Sequence, residues 1–76
     1  MTTKVFTHRF LILKGMARYR VHFVDLNEQV IDAVELEADS DEAAIEKAYR
    51  IDIPSFSIGF DVLQKHRLVH RHRRRH

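Results

Sequence analysis

From Arg18 to Val24 apolar and polar side chains alternate, with Tyr19, Val21 and Phe23 on one parity and Arg20 and His22 on the other. A period of two, with aromatic and β-branched residues on one side, predicts a strand with one buried face. Asp25-Leu26-Asn27-Glu28 follows as turn chemistry, because Asp25 can close an Asx turn and Asn27 tolerates a positive φ. Val30 to Glu37 reads as the return strand, but its pattern is mixed. Val30, Val34 and Leu36 share a parity with Asp32, while Ile31 and Ala33 fall with Glu35 and Glu37. A bulge near Asp32 or Ala33 would bring Ile31, Val34 and Leu36 onto one face.

The period then changes to that of a helix. Ala44, Ile45, Ala48 and Tyr49 stand at i, i+1, i+4 and i+5 and form one apolar stripe. Asp39 or Ser40 is the expected N-cap; with Asp39 in that role, Glu42 falls at N3 and closes a capping box. Asp41 and Glu42 also place negative charge in the first turn, where the helix dipole favours it. Glu46 and Arg50 are spaced for an i, i+4 pair on the wet side. Pro54 biases Ile53 away from helical geometry, so the helix should end near Ile51 or Asp52. Alternation returns at Ile58, Phe60 and Val62, with Gly59 and Asp61 between them. Gln64-Lys65-His66 reads as a tight turn into a fourth strand, from Arg67 to Arg71 or His72.

The N-terminal stretch is less regular. Lys4 to Leu13 carries strand-forming residues, and it reads either as a strand or as a loosely attached arm that Gly15 terminates. Met16 stands directly before the clear strand and is a second candidate translation start, which would make residues 1–15 dispensable for the fold. The expected organisation is therefore an N-terminal strand or arm at 1–15, a single α+β domain at 16–72, and a disordered basic tail at 73–76 with nothing apolar to bury. The domain is an antiparallel sheet of three to five strands with one helix on one face, a β-β-α-β-β core. Arg20, His22, Glu35, Glu37 and Asp61, with Leu63, are expected on the other face. One helix covers such a sheet incompletely, so self-association through an edge strand or the open face is expected.

Length and composition narrow the picture. A chain of 76 residues builds one domain with a small core. It has no cysteine, which excludes disulfides and thiolate metal sites and leaves imidazole ligation or a partner subunit as reinforcement. No apolar run approaches the roughly 18 residues of a membrane span. Phe10-Leu11-Ile12-Leu13 is shorter than a secretory core of about 7 residues and lacks a cleavage site, so a cytoplasmic address is expected. The net charge of +2 conceals a partition: all eleven carboxylates lie between residues 21 and 64, accompanied only by Lys47 and Arg50. Both ends are basic, the first through Lys4, Arg9, Lys14, Arg18 and Arg20. An acidic body with basic ends can neutralise itself, bind a second copy or attract nucleic acid.

Arg18-Tyr19-Arg20-Val21, Val34-Glu35-Leu36-Glu37, Ser40-Asp41-Glu42-Ala43-Ala44-Ile45 and Arg67-Leu68-Val69 together give the run from Arg18 to Arg71 a recognisable outline. It resembles a class of short bacterial α+β proteins with the same β-β-α-β-β order and helix start. In that class the first strand begins near the initiating methionine, which the position of Met16 matches and residues 1–15 do not. The resemblance implies a fold and no activity.

Three kinds of chemistry remain. Arg67, Arg71, Arg73, Arg74 and Arg75 form a basic run able to neutralise phosphates, although no aromatic residues are interleaved for base stacking. Keeping the chain soluble and opposing the acidic body is the simpler use of these cations. His70 and His72 project to one face of a strand and could meet His22 across the sheet to hold zinc, copper or nickel; the arginines between them oppose a dication, and no metal site or other cofactor is assigned. No Ser-His-Asp order, glycine-rich phosphate loop or H-E-x-x-H helix is present, and the carboxylates are accounted for by capping and strand exposure. The sequence points to a non-catalytic interaction module or homodimer, with a protein partner or a second copy, no membrane, and nucleic acid as the alternative.

Overall fold

The structure, a computed structural model, describes residues 15–74. Its elements are β1 (Ala17–Val24), β2 (Val30–Ala38), α1 (Asp41–Tyr49), β3 (Gly59–Gln64) and β4 (Arg67–Arg73). The sheet has four strands in the order β2-β1-β3-β4, and every neighbouring pair is antiparallel. The α+β class and the β-β-α-β-β order are as expected from the sequence. The expected strand between Lys4 and Leu13, and the last residues Arg75 and His76, lie outside the described residues.

The core follows from the alternation of β1. Tyr19, Val21 and Phe23 are buried together with Phe60 and Val62 of β3, because the register sets Val21 beside Val62 and Phe23 beside Phe60. The Phe23 and Phe60 rings meet edge to face at 5.9 Å. Ala44 and Ala48 of α1 are fully buried over them. Their small side chains bring the helix close to the sheet, and each large ring beneath contributes roughly 1.5–3 kcal/mol through burial. Tyr49, the last member of the apolar stripe, is half exposed but keeps an edge contact with Phe60 at 5.0 Å.

Local details depart from expectation in physically readable ways. Of the two expected caps, Asp39 and Ser40, it is Ser40 that caps the helix: its extended backbone lets Oγ accept from the Ala43 N–H at 3.1 Å. That puts Glu42 at N2, one position short of a capping box. The helix ends at Tyr49, where the Arg50 N–H turns back to the Lys47 carbonyl at 3.1 Å. The expected Glu46–Arg50 pair is not among the ion pairs of the described residues. Asp25 does close the first hairpin, its Oδ1 accepting from Asn27 and Gln29 N–H. The left-handed backbone, however, falls on Glu28 at φ 62°, not on Asn27. The bulge in β2 falls at Ile31, since Phe23 faces Asp32 while Val24 faces Val30. Ile31 is therefore looped out and 42% exposed, and Val34 and Leu36 share the core side with Asp32.

The connector between α1 and β3 is anchored by Ser57, a buried polar residue. Its hydroxyl lies 2.9 Å from the Val24 carbonyl and 2.7 Å from that of Gly59, and it accepts from the Gly59 N–H at 3.2 Å. β3 then turns into β4 through Lys65 and His66, with Lys65 in the left-handed region at φ 56°.

Candidate interaction edge

Of the arginines singled out by the sequence, Arg67, Arg71 and Arg73 are built into the fold through their side chains, and Arg75 lies outside the described residues. Arg67 begins β4 and faces the helix, where it forms a two-pronged pair with Asp41 at 2.9 and 3.0 Å. The buried Tyr19 donates its hydroxyl to the same carboxylate at 2.7 Å, so Asp41 joins β1, β4 and the first turn of α1. The Arg67 guanidinium and the Tyr19 hydroxyl hold the Asp41 carboxyl down to about 2. In return, the bond to Asp41 and burial push the Tyr19 phenol up. Arg67 also donates to the Gln64 amide oxygen.

On the other face, Asp61 of β3 is shared by two arginines. Arg71 reaches it at 3.0 and 3.2 Å, and Arg73 at 2.9 Å. Burial works to raise the Asp61 carboxyl, but the bonds from Arg71 and Arg73 outweigh it and the group ends below its usual range. Arg73 continues to Glu28 at 2.7 and 3.0 Å, which lowers the Glu28 carboxyl. The end of β4 is thereby tied to the β1–β2 hairpin. β4 runs one residue past His72 because Arg73 has these partners, and the Arg74 N–H bonds the Ile58 carbonyl. Arg73 and Arg74 therefore belong to the ordered sheet end, not to a tail beginning at 73.

The histidines separate. His70 faces Val62 and His72 faces Phe60, so both lie on the helix side. His22 faces Asp61, on the opposite side of the sheet, and cannot meet them. His70 Nε2 is 2.8 Å from the Tyr49 hydroxyl, and both imidazoles stand edge-on to the Tyr49 ring. Among the described residues no group of three or more His, Asp or Glu side chains is gathered to hold a metal ion.

The open face carries a groove of about 550 Å³ lined by Arg18, Arg20, His22, Glu35, Leu63 and Lys65 among others. Its single carboxylate, Glu35, is bound by Arg20 at 3.0 Å.

Among the described residues the sheet leaves two outer edges unpaired, those of β2 and β4, and the edge of β2 is the one whose neighbouring side chains are not tied up in a run of ion pairs. The Asp25 N–H donates to the Gln29 carbonyl, toward β2, whereas the Val24 carbonyl accepts from the Ile58 N–H, toward β3. Peptide groups alternate along a strand, so Phe23, Val21 and Tyr19 turn theirs toward β2. Their partners Asp32, Val34 and Leu36 answer them. Ala33, Glu35 and Glu37 must then point their N–H and C=O away from the sheet. Two of these groups are locally capped: Asp32 Oδ1 accepts from the Ala33 N–H at 2.8 Å, and Lys47 Nζ donates to the Glu37 carbonyl at 2.6 Å. Glu35, between them, has no such cap among the described residues. Val30 and Ile31 extend the same edge as exposed apolar side chains. The alternation predicts association through an edge strand or the open face, whereas the peptide groups that point outward are set by register.

Compared with family models, curated proteins and solved structures, the chain matches none of them. Among the described residues no helix is long and apolar enough to cross a membrane.

Proposed function

We propose that this protein is a non-catalytic interaction module that binds an extended protein segment along the free edge of β2. The observation that carries this reading is the outward peptide row of Ala33, Glu35 and Glu37, unpaired by any neighbouring strand among the described residues. A strand edge offers backbone hydrogen bonds to any added strand, and alternate side chains set the register. The carboxylates support a non-catalytic role, since Asp41, Asp61 and Glu28 are each engaged by arginine. The same pairs favour a structural use of Arg67, Arg71 and Arg73 over phosphate binding. A cytoplasmic setting, and kinship with the short bacterial proteins that the Arg18–Arg71 run resembles, form part of this proposal.

Proline at an edge strand removes an outward N–H without breaking the ladder behind it. Glu35→Pro is therefore expected to abolish partner capture, while Glu35→Ala, which keeps the N–H and also loses the Arg20 pair, retains it. Equal capture by both variants would overturn the reading.

A further inference from the structure

Resting on that reading, we infer that the segment added to β2 is β2 of a second copy, antiparallel, with the two-fold axis passing beside Val34. A continuous sheet built by a two-fold axis normal to its plane keeps the helix side of one copy level with that of the other. Even-numbered residues then face even-numbered ones, and every symmetric register is centred on one residue.

The charge pattern chooses among the centres. Centring on Asp32 or on Glu35 sets a carboxylate against its own copy, and centring on Leu36 sets Glu35 against Glu37. Like charges directly opposite destabilise a strand pair. Centring on Glu35 would also require the Glu37 carbonyl that Lys47 holds. Centring on Ala33 runs both ends into the bulge at Ile31. With Val34 at the centre, Ala33 faces Glu35 of the second copy, Asp32 faces Leu36, and no carboxylate opposes another.

The hydrogen-bonding parity fits the same register. Ala33 and Glu35 point outward, so each Ala33–Glu35 pair across the axis is a hydrogen-bonded pair exchanging two N–H···O bonds. The Ala33 N–H leaves Asp32 Oδ1 to do so, and Lys47 stays on Glu37. Val34 and Leu36 already pack against the core from its rim, so Val34 meeting Val34 carries the apolar layer across the axis. The rival occupant, the β4 edge of another molecule, is less suited. Its register is broken between Leu68 and His70, its arginines are committed to their own carboxylates, and a head-to-tail contact need not close.

The chain has no cysteine, which makes engineered cross-linking clean. The Val34 pair is non-hydrogen-bonded, bringing Cα atoms to ~4.5 Å, within disulfide reach. Under mild oxidation the full-length Val34→Cys protein is expected to form a disulfide dimer at least roughly tenfold faster than Leu36→Cys, whose position faces Asp32 across the axis. Independently, light scattering on the unaltered protein is expected to rise from one to two chain masses with concentration and then stop. Equal cross-linking at both positions, or growth beyond two chains as β2–β4 stacking requires, overturns the inference. So does an unaltered protein that stays monomeric at millimolar concentration, whether its edge is left bare or covered by the chain's own residues 1–14. If that monomer still loses capture of another protein on Glu35→Pro, the edge reading stands and only the identity of the partner falls.

Discussion

Gly59 opens β3 directly beside the β4 backbone at His72 and Arg73. A Cβ placed there would lie 2.0 Å from the His72 carbonyl oxygen and 2.9 Å from Arg73 Cα. Ordinary carbon–oxygen contact begins at ~3.3 Å, so the β4 backbone would have to retreat by more than an ångström. Both obstructing groups are main chain, and neither can swing aside as a side-chain tip would. The retreat loosens the Phe60–His72 pair and draws Arg73 off Asp61 and Glu28. Overpacking costs about 1–3 kcal/mol, and a lost backbone bond adds about 1 kcal/mol. Gly59→Ala is therefore expected to destabilise by about 3 kcal/mol, a large fraction of the ~3–9 kcal/mol available to a domain of this size. In thermal melts followed by circular dichroism the midpoint should fall by roughly 12–24 °C. A Gly59→Ala protein melting within ~0.5 kcal/mol of the parent would refute the close approach of the two strands.

Three further outcomes are expected. Asp41 has a folded value of about 2 against an ordinary 3.8, so its contribution is present above pH 4 and is lost as pH falls through 2. Acid titration of stability should show that loss, and Arg67→Gln should flatten it; an unchanged acid limb in the variant would sink the assignment. Ser57→Ala leaves the Val24 and Gly59 groups without their buried hydroxyl, and urea melts should show a loss of about 1–3 kcal/mol. Lys65→Gly relieves a left-handed backbone at φ 56° and should stabilise by about 0.5–1 kcal/mol, part of the gain being offset by glycine's unfolded-state entropy.

The readable parts of the fold were those encoded by neighbours in sequence. Tyr19, Val21 and Phe23 announce a one-sided strand, Asp25 its Asx turn, and the Ala44–Ala48 spacing a helix that must lie close to a sheet. The parts that escaped depend on which strand sits beside which. Arg73 reads as solvated until the order β2-β1-β3-β4 carries it past Asp61 to Glu28, 45 residues away in sequence. Asp41 reads as a dipole partner, and nothing local reveals that Tyr19 and Arg67 converge on it. The separation of His22 from His70 and His72 follows from the β1–β3 register, which alternation alone does not supply. Of the two caps the sequence offered, Asp39 and Ser40, the helix uses Ser40, and β2 runs one residue beyond the expected Glu37, to Ala38.

The claim that the edge of β2 is the working surface is tested most directly by amide hydrogen exchange, residue by residue, from dilute to concentrated protein. Exchange at Ala33 and Glu35 is expected to slow by on the order of tenfold or more as the edge is occupied. The amide of Arg71, which faces outward from β4, should stay unchanged. Exchange at Ala33 and Glu35 that ignores concentration, or slowing that falls on β4 instead, would contradict it.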